Sequence, residues 1–147
     1  MLAYAADKHG KSAFYPTDLK TRADIHRWMQ WEGSAWFPSA YVYLVENCVK
    51  ALLQSSHYQK VLADHEENFH KLANILDTRL ATNEWLCGSS PTLADIVCAA
   101  PIHLHPFQKA PLAPHKNLVR WMTQSVEKLP SWNATFVGEG FSLNKPA

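Results

Sequence analysis

The sequence predicts an all-α fold, a bundle of about five helices packed around one buried core helix. Three observations lead there. No stretch alternates apolar and polar residues as a half-buried strand would, whereas several long segments repeat apolar residues at helical spacings. Thr92-Leu93-Ala94-Asp95 has the spacing of a capping box, with Asp in place of the commoner Glu or Gln. The run behind it, Leu93, Ala94, Ile96, Val97, Cys98, Ala99 and Ala100, is apolar all round, which suits a helix enclosed by others rather than one lying on a surface.

Taken in order, residues 2–9 form about two helical turns, too short to stand alone in water, where isolated helices below roughly 12 residues are marginal. They must lean on something. Residues 10–16 read as a linker, and Thr17-Asp18 cap a long helix over residues 19–54. Ile25, Trp28, Met29, Trp36, Ala40 and Tyr43 make one apolar stripe on it; Phe37, Tyr41, Leu44, Cys48 and Leu52 make a second; Trp31, Val42, Val45 and Val49 a third. Its second half is therefore expected to touch several partners. Gly33 would allow a close approach, and Pro38, which lacks an N–H and clashes with the Ser34 carbonyl, predicts a kink between them. A one-faced amphipathic helix over residues 58–81 buries Leu62, Phe69, Ala73, Leu76 and Leu80 and turns Asp64, Glu67, Lys71 and Arg79 away. Pro101 bends or ends the core helix, and Pro106, Pro111 and Pro114 make a stiff, extended connection. A last helix over residues 116–129 buries Leu118, Met122, Val126 and Leu129 and is stopped by Pro130. The tail from Trp132, with Phe136, Gly138, Gly140 and Phe141, reads as irregular, its aromatics laid back on the bundle.

A chain of 147 residues buries roughly 68–70% of its unfolded surface, enough for one core. With 47% hydrophobic residues, 18% charged and a formal charge of +1, it has no electrostatic footprint for nucleic acid or acidic membranes. No apolar run is long enough to span a bilayer and no leader pattern opens the chain. Cys48, Cys87 and Cys98 are odd in number and widely spaced, against a disulfide framework or a zinc site and in keeping with a reducing, cytoplasmic setting. Asn133-Ala134-Thr135 fits a glycosylation triplet that would be idle there. His103 and His105 lie two apart and His65 and His70 five apart, so neither pair has the spacing of a helical metal site. No nucleophile elbow, phosphate loop or His-Glu-x-x-His is present, and Gly138-Glu139-Gly140 is too short to hold phosphate.

Trp85-Leu86-Cys87-Gly88-Ser89-Ser90-Pro91-Thr92-Leu93-Ala94-Asp95-Ile96 resembles the start of the core helix in the C-terminal domain of cytosolic glutathione transferases. Phe14 to Asp18 with Arg22 to Trp28 resembles that domain's entry, and Asn117 to Trp121 with Leu129 to Trp132 its penultimate helix and exit. The first ten residues are similar to the end of the family's thioredoxin-like domain. The resemblance thus implies a remnant of that domain at residues 1–10 and the helical domain over 11–147.

What it implies for function follows position by position. Ser34, Phe37, Pro38 and Tyr41 on the kinked helix, with His103 and Phe107 beyond the core helix, match the pocket for the hydrophobic co-substrate. A groove opened by a kink and lined by aromatics and a few hydroxyls suits a non-polar ligand. Thr92 and Asp95 match a structural capping pair, and no catalytic residue is carried over. Glutathione is implied as a co-substrate held by the thioredoxin-like half, whose binding residues have no counterpart here, so this chain is expected to be inactive by itself. The alternative is a non-catalytic binding or assembly module, as in translation complexes. An apolar face that would meet the thioredoxin-like half predicts a homo-oligomer or a thioredoxin-like partner subunit, with the segment at 2–9 docking on a neighbour.

Overall fold

A computed structural model describes residues 1–9 and 13–135, and among these the chain is helical throughout with no strand. Helix α1, Leu2–Lys8, buries no residue of its own. It rests on its own chain: Ala3 and Ala6 pack against the core, and Asp7 pairs with Arg22 at 2.6 Å. Arg22 also donates to the Pro16 carbonyl at 2.6 Å and lies over the Tyr15 ring, fastening the loop that leads into the bundle.

The long first helix forms, with two interruptions. Helix α2, Leu19–Trp31, starts at Asp18, whose carboxylate accepts the Thr21 N–H at 2.8 Å. A π turn, Glu32–Trp36, joins it to α3, Phe37–Leu44; a second, Val45–Val49, joins α3 to α4, Lys50–Leu52. The predicted break before Pro38 thus takes the form of a widened turn, which accommodates a residue that cannot donate to the ladder. Gly33 does not serve a close approach, because a methyl group there would meet open space. The first stripe is the buried one, with Ile25, Trp36 and Ala40 fully enclosed and Trp28 and Tyr43 nearly so. The second is not continuous: Cys48 is buried, but Phe37, Tyr41 and Leu52 are exposed.

Helix α5, Gln59–Thr82, buries Phe69, Ala73, Leu76 and Leu80 as its periodicity requires. Arg79 is not turned to solvent: its Nε donates to the Leu86 carbonyl at 2.8 Å and holds the following loop. In that loop Gly88 takes φ 145°, a conformation that side chains disfavour.

The core helix α6, Leu93–Ala99, ends where Pro101 demands and tightens into a 3₁₀ turn, Ala100–Ile102. Its capping box forms, and the Leu93 N–H is taken by the Phe14 carbonyl at 2.9 Å. The proline-rich connection is partly helical rather than extended. Pro106 sits in the first turn of α7, His105–Gln108, where its missing N–H costs nothing, and Lys109 ends the helix at φ 52°. Helix α8, Lys116–Arg120, runs on through a π turn, Trp121–Ser125, and a 3₁₀ turn, Val126–Lys128. Pro130 does not end helical structure; it opens a short helix α9, Pro130–Ala134. The tail residues Phe136, Gly138, Gly140 and Phe141 lie outside the described residues.

Candidate functional site

The site is built on a rigid base. Asp95 is wholly buried, and its carboxylate accepts four hydrogen bonds: Leu86 N–H (2.9 Å) and Trp121 Nε1–H (3.3 Å) on Oδ1, Thr92 N–H (2.8 Å) and Thr92 Oγ1–H (3.0 Å) on Oδ2. Burial pushes the carboxyl above the ordinary carboxylate range and the four donors pull it back. Those bonds commit it to structure. Three residues beyond the box, the Cys98 carbonyl accepts from Nε1 of the fully buried Trp36 of the first π turn at 2.9 Å, locking the first helix to the core helix.

The far end of this assembly carries the six predicted pocket residues. On α3 and the turn before it, Ser34, Phe37, Pro38 and Tyr41 are all exposed. The rings of Phe37 and Tyr41 stack at 4.9 Å with a 22° tilt, forming an aromatic step, while the Ser34 hydroxyl donates to the Gln30 carbonyl at 2.8 Å. Helix α3 packs against both the 3₁₀ turn after α6 and α7, so the two halves of the prediction lie on touching elements. His103 and Phe107 are half-buried there. Of the six, His103 lines a cleft of about 290 Å³, whose other described walls are Ala100, Trp132 and Thr135. Its Nδ1 lies 2.7 Å from the Ala100 carbonyl, which orients the ring. Trp132 is the wall that the helical pattern did not single out as a lining residue; its place in the exit segment, two residues past Pro130, was the available signal.

Burial raises all three thiols above the ordinary value. Burial, reinforced by Asp24, pushes Cys87 up to about 12. Burial likewise raises Cys48, against a small opposing effect of Lys109, and it raises Cys98 well above the usual thiol value. Among the described residues no three His, Cys, Asp or Glu side chains are grouped to hold a metal, and no helix is long and apolar enough to cross a membrane.

Residues 49–130, more than half the chain, match the family model described as the C-terminal domain of glutathione S-transferase. The chain belongs to this family. Glutathione S-transferase F14 of Arabidopsis thaliana is 25% identical over 127 residues, which is 83% of this chain and 50% of that protein. The glutathione S-transferase C-terminal fold is equally clear among solved structures. Glutathione S-transferase-I bound with lactoylglutathione superposes with a TM-score of 0.79 at 20% identity, over 89% of this chain and 63% of that one. Glutathione transferase F2 of Populus trichocarpa gives 0.78 at 22% identity over the same shares. The chain therefore spans about half the length of its curated relative and less than two thirds of these structures.

Proposed function

We propose that this chain is the helical half of a glutathione transferase-like protein and holds the hydrophobic, electrophilic co-substrate for conjugation. The observation that carries the reading is the exposed Phe37–Tyr41 step on a helix packed against the segment that bears His103 and its cleft. Exposed aromatic faces and clefts with an aromatic wall recognise planar, non-polar ligands. In this reading the attacking sulfur is the thiolate of glutathione, bound on a thioredoxin-like half in the same protein or on a partner subunit, since Cys48, Cys87 and Cys98 stay protonated. Here the chain's contribution is positioning: Phe37 and Tyr41 stack on the electrophile, and His103 and Phe107 close the inner side. A non-catalytic assembly module is the second reading, and the exposed Leu52 and Leu53 at the opposite end of the long helix, with Tyr58 at the start of α5, favour it. Self-association through such surfaces belongs to either.

Fluorescence titration with a hydrophobic dye and with glutathione separates them. The transferase reading expects dye binding that weakens about tenfold in the Phe37→Ala, Tyr41→Ala double variant, a loss of about 1.4 kcal/mol. Dye binding unchanged by that variant overturns the assigned pocket. Conjugation of an aryl halide on adding a glutathione-loaded thioredoxin-like domain supports the transferase reading over the module.

A further inference from the structure

Two histidines that no sequence spacing connects meet where α8 begins. His70 Nδ1 on α5 lies 2.9 Å from His115 Nε2, with ring centroids 5.2 Å apart. A contact between two ring nitrogens needs one donor and one acceptor. It survives with the pair neutral or carrying one proton, and it is lost when both rings are imidazolium and two N–H groups face each other. His115 is only 6% exposed, so a charge on it has little water to solvate it.

The charged groups around the pair face it from both helices and from the segment beyond. Glu66 Oε1 lies 3.7 Å from the outer nitrogen of His70. Asp77 is the carboxylate that acts on His115, and it is already engaged: it accepts the Asn117 N–H (2.7 Å), the Leu118 N–H (3.0 Å) and the Asn117 side-chain amide (3.0 Å). On α8, Arg120 turns its guanidinium to the Leu80 carbonyl at 2.7 Å. Farther along the chain, Glu127 of the 3₁₀ turn lies 2.9 Å from His105 of α7. Glu66 addresses the nitrogen that the pair does not use, so the three groups do not converge on a point where a metal could sit.

The segment that starts at His115 runs through α8 and its two irregular turns to α9, which supplies Trp132 and leads to Thr135 on the cleft wall. We propose that His70 and His115 form an acid-released latch: the start of α8 is held to α5 while the pair carries at most one proton, and it loosens when both rings are protonated. Burial, and secondarily His70, hold His115 below the usual imidazole value of 6.5, while Asp77 acts weakly the other way. The folded state thus binds fewer protons than the unfolded one. The latch's stability is complete above 6.5 and falls as pH drops below it toward the folded value.

The test is amide hydrogen exchange of Asn117 and Leu118 in the full chain between about pH 7.5 and pH 5, spanning the ordinary imidazole range and corrected for intrinsic rate, with histidine ring NMR in parallel. Asp77, whose carboxyl is held below the ordinary 3.8, stays ionised throughout. Exchange at both amides rises at least tenfold as pH falls, and the His115 ring titrates below 6.5. His115→Asn, which keeps a good helix cap while removing the titration, abolishes the pH dependence. His70→Gln reduces it and serves where the first variant does not fold. Exchange that ignores pH, two rings titrating together without interaction, or a wild-type pH profile in His115→Asn overturns the latch.

Discussion

The two ends of the core helix are built on opposite rules. At its start, Asp95 gathers donors from the preceding loop, the capping residue and the penultimate helical segment, and nothing polar is left for a ligand. Near its end, Phe37 and Tyr41 remain 42% and 40% exposed and stack on each other. The first region spends its chemistry on the fold, and the second leaves apolar surface free for an encounter. That contrast teaches where to look for function in such a helical domain: at surface the fold does not consume.

Substitutions sharpen or break the contrast. Asp95→Ala leaves four donors facing a void, and at about 1–3 kcal/mol for each buried group left unpaired it should cost at least about 3 kcal/mol. Asp95→Asn, which keeps one acceptor, should cost less; urea midpoints that are equal to wild type in both would break the comparison. Next is Asp77→Ala. It removes the side chain that caps α8 from another helix and should cost about 1–2 kcal/mol. Burial works against ionisation of Asp77, but the Leu118 and Asn117 N–H groups and the Asn117 amide outweigh it and hold the carboxyl below 3.8. Its contribution is therefore present above that value and disappears as pH falls through the lower folded value, so the variant's acid unfolding should flatten there.

Gly33→Ala acts in the other direction. With open space for the methyl group, it should stabilise by about 0.4–1 kcal/mol by restricting the unfolded chain, read as a raised midpoint. Phe37→Ala and Tyr41→Ala should change stability least, within about 0.5 kcal/mol each, as exposed positions do. A loss of several kcal/mol there, measured by the same denaturation, would mean that the aromatic step is part of the core after all.

Much of the fold was legible because it rests on local rules. The Thr92–Asp95 spacing, the α5 stripe ending at Leu80 and the stop at Pro101 each need only a few neighbouring residues to be read. What sequence could not show depends on partners brought together by folding. Leu86 and Trp121 reach Asp95 from 9 and 26 residues away, and Asp77 caps a helix 40 residues on. The π turns were hidden for a different reason. Each widens the helix by one residue in a turn, and no local pattern of residue types marks where that happens. Of the candidate site, the i,i+4 spacing that lets Phe37 and Tyr41 stack is local, whereas the cleft walls at Trp132 and Thr135 depend on how α9 folds back.

The bond from the Leu93 amide to the Phe14 carbonyl has a kinetic side. It joins the entry loop to the core helix across most of the described chain, and Trp36 reaches Cys98 across 62 residues. Such closures cost chain entropy before any contact returns it, which slows folding relative to bundles whose helices meet only their sequence neighbours. Helices α5 and α6, linked locally through Arg79 and Leu86, have no such wait. The entry segment is then expected to find its place last and to leave it first, which limited proteolysis around residues 13–18 would show.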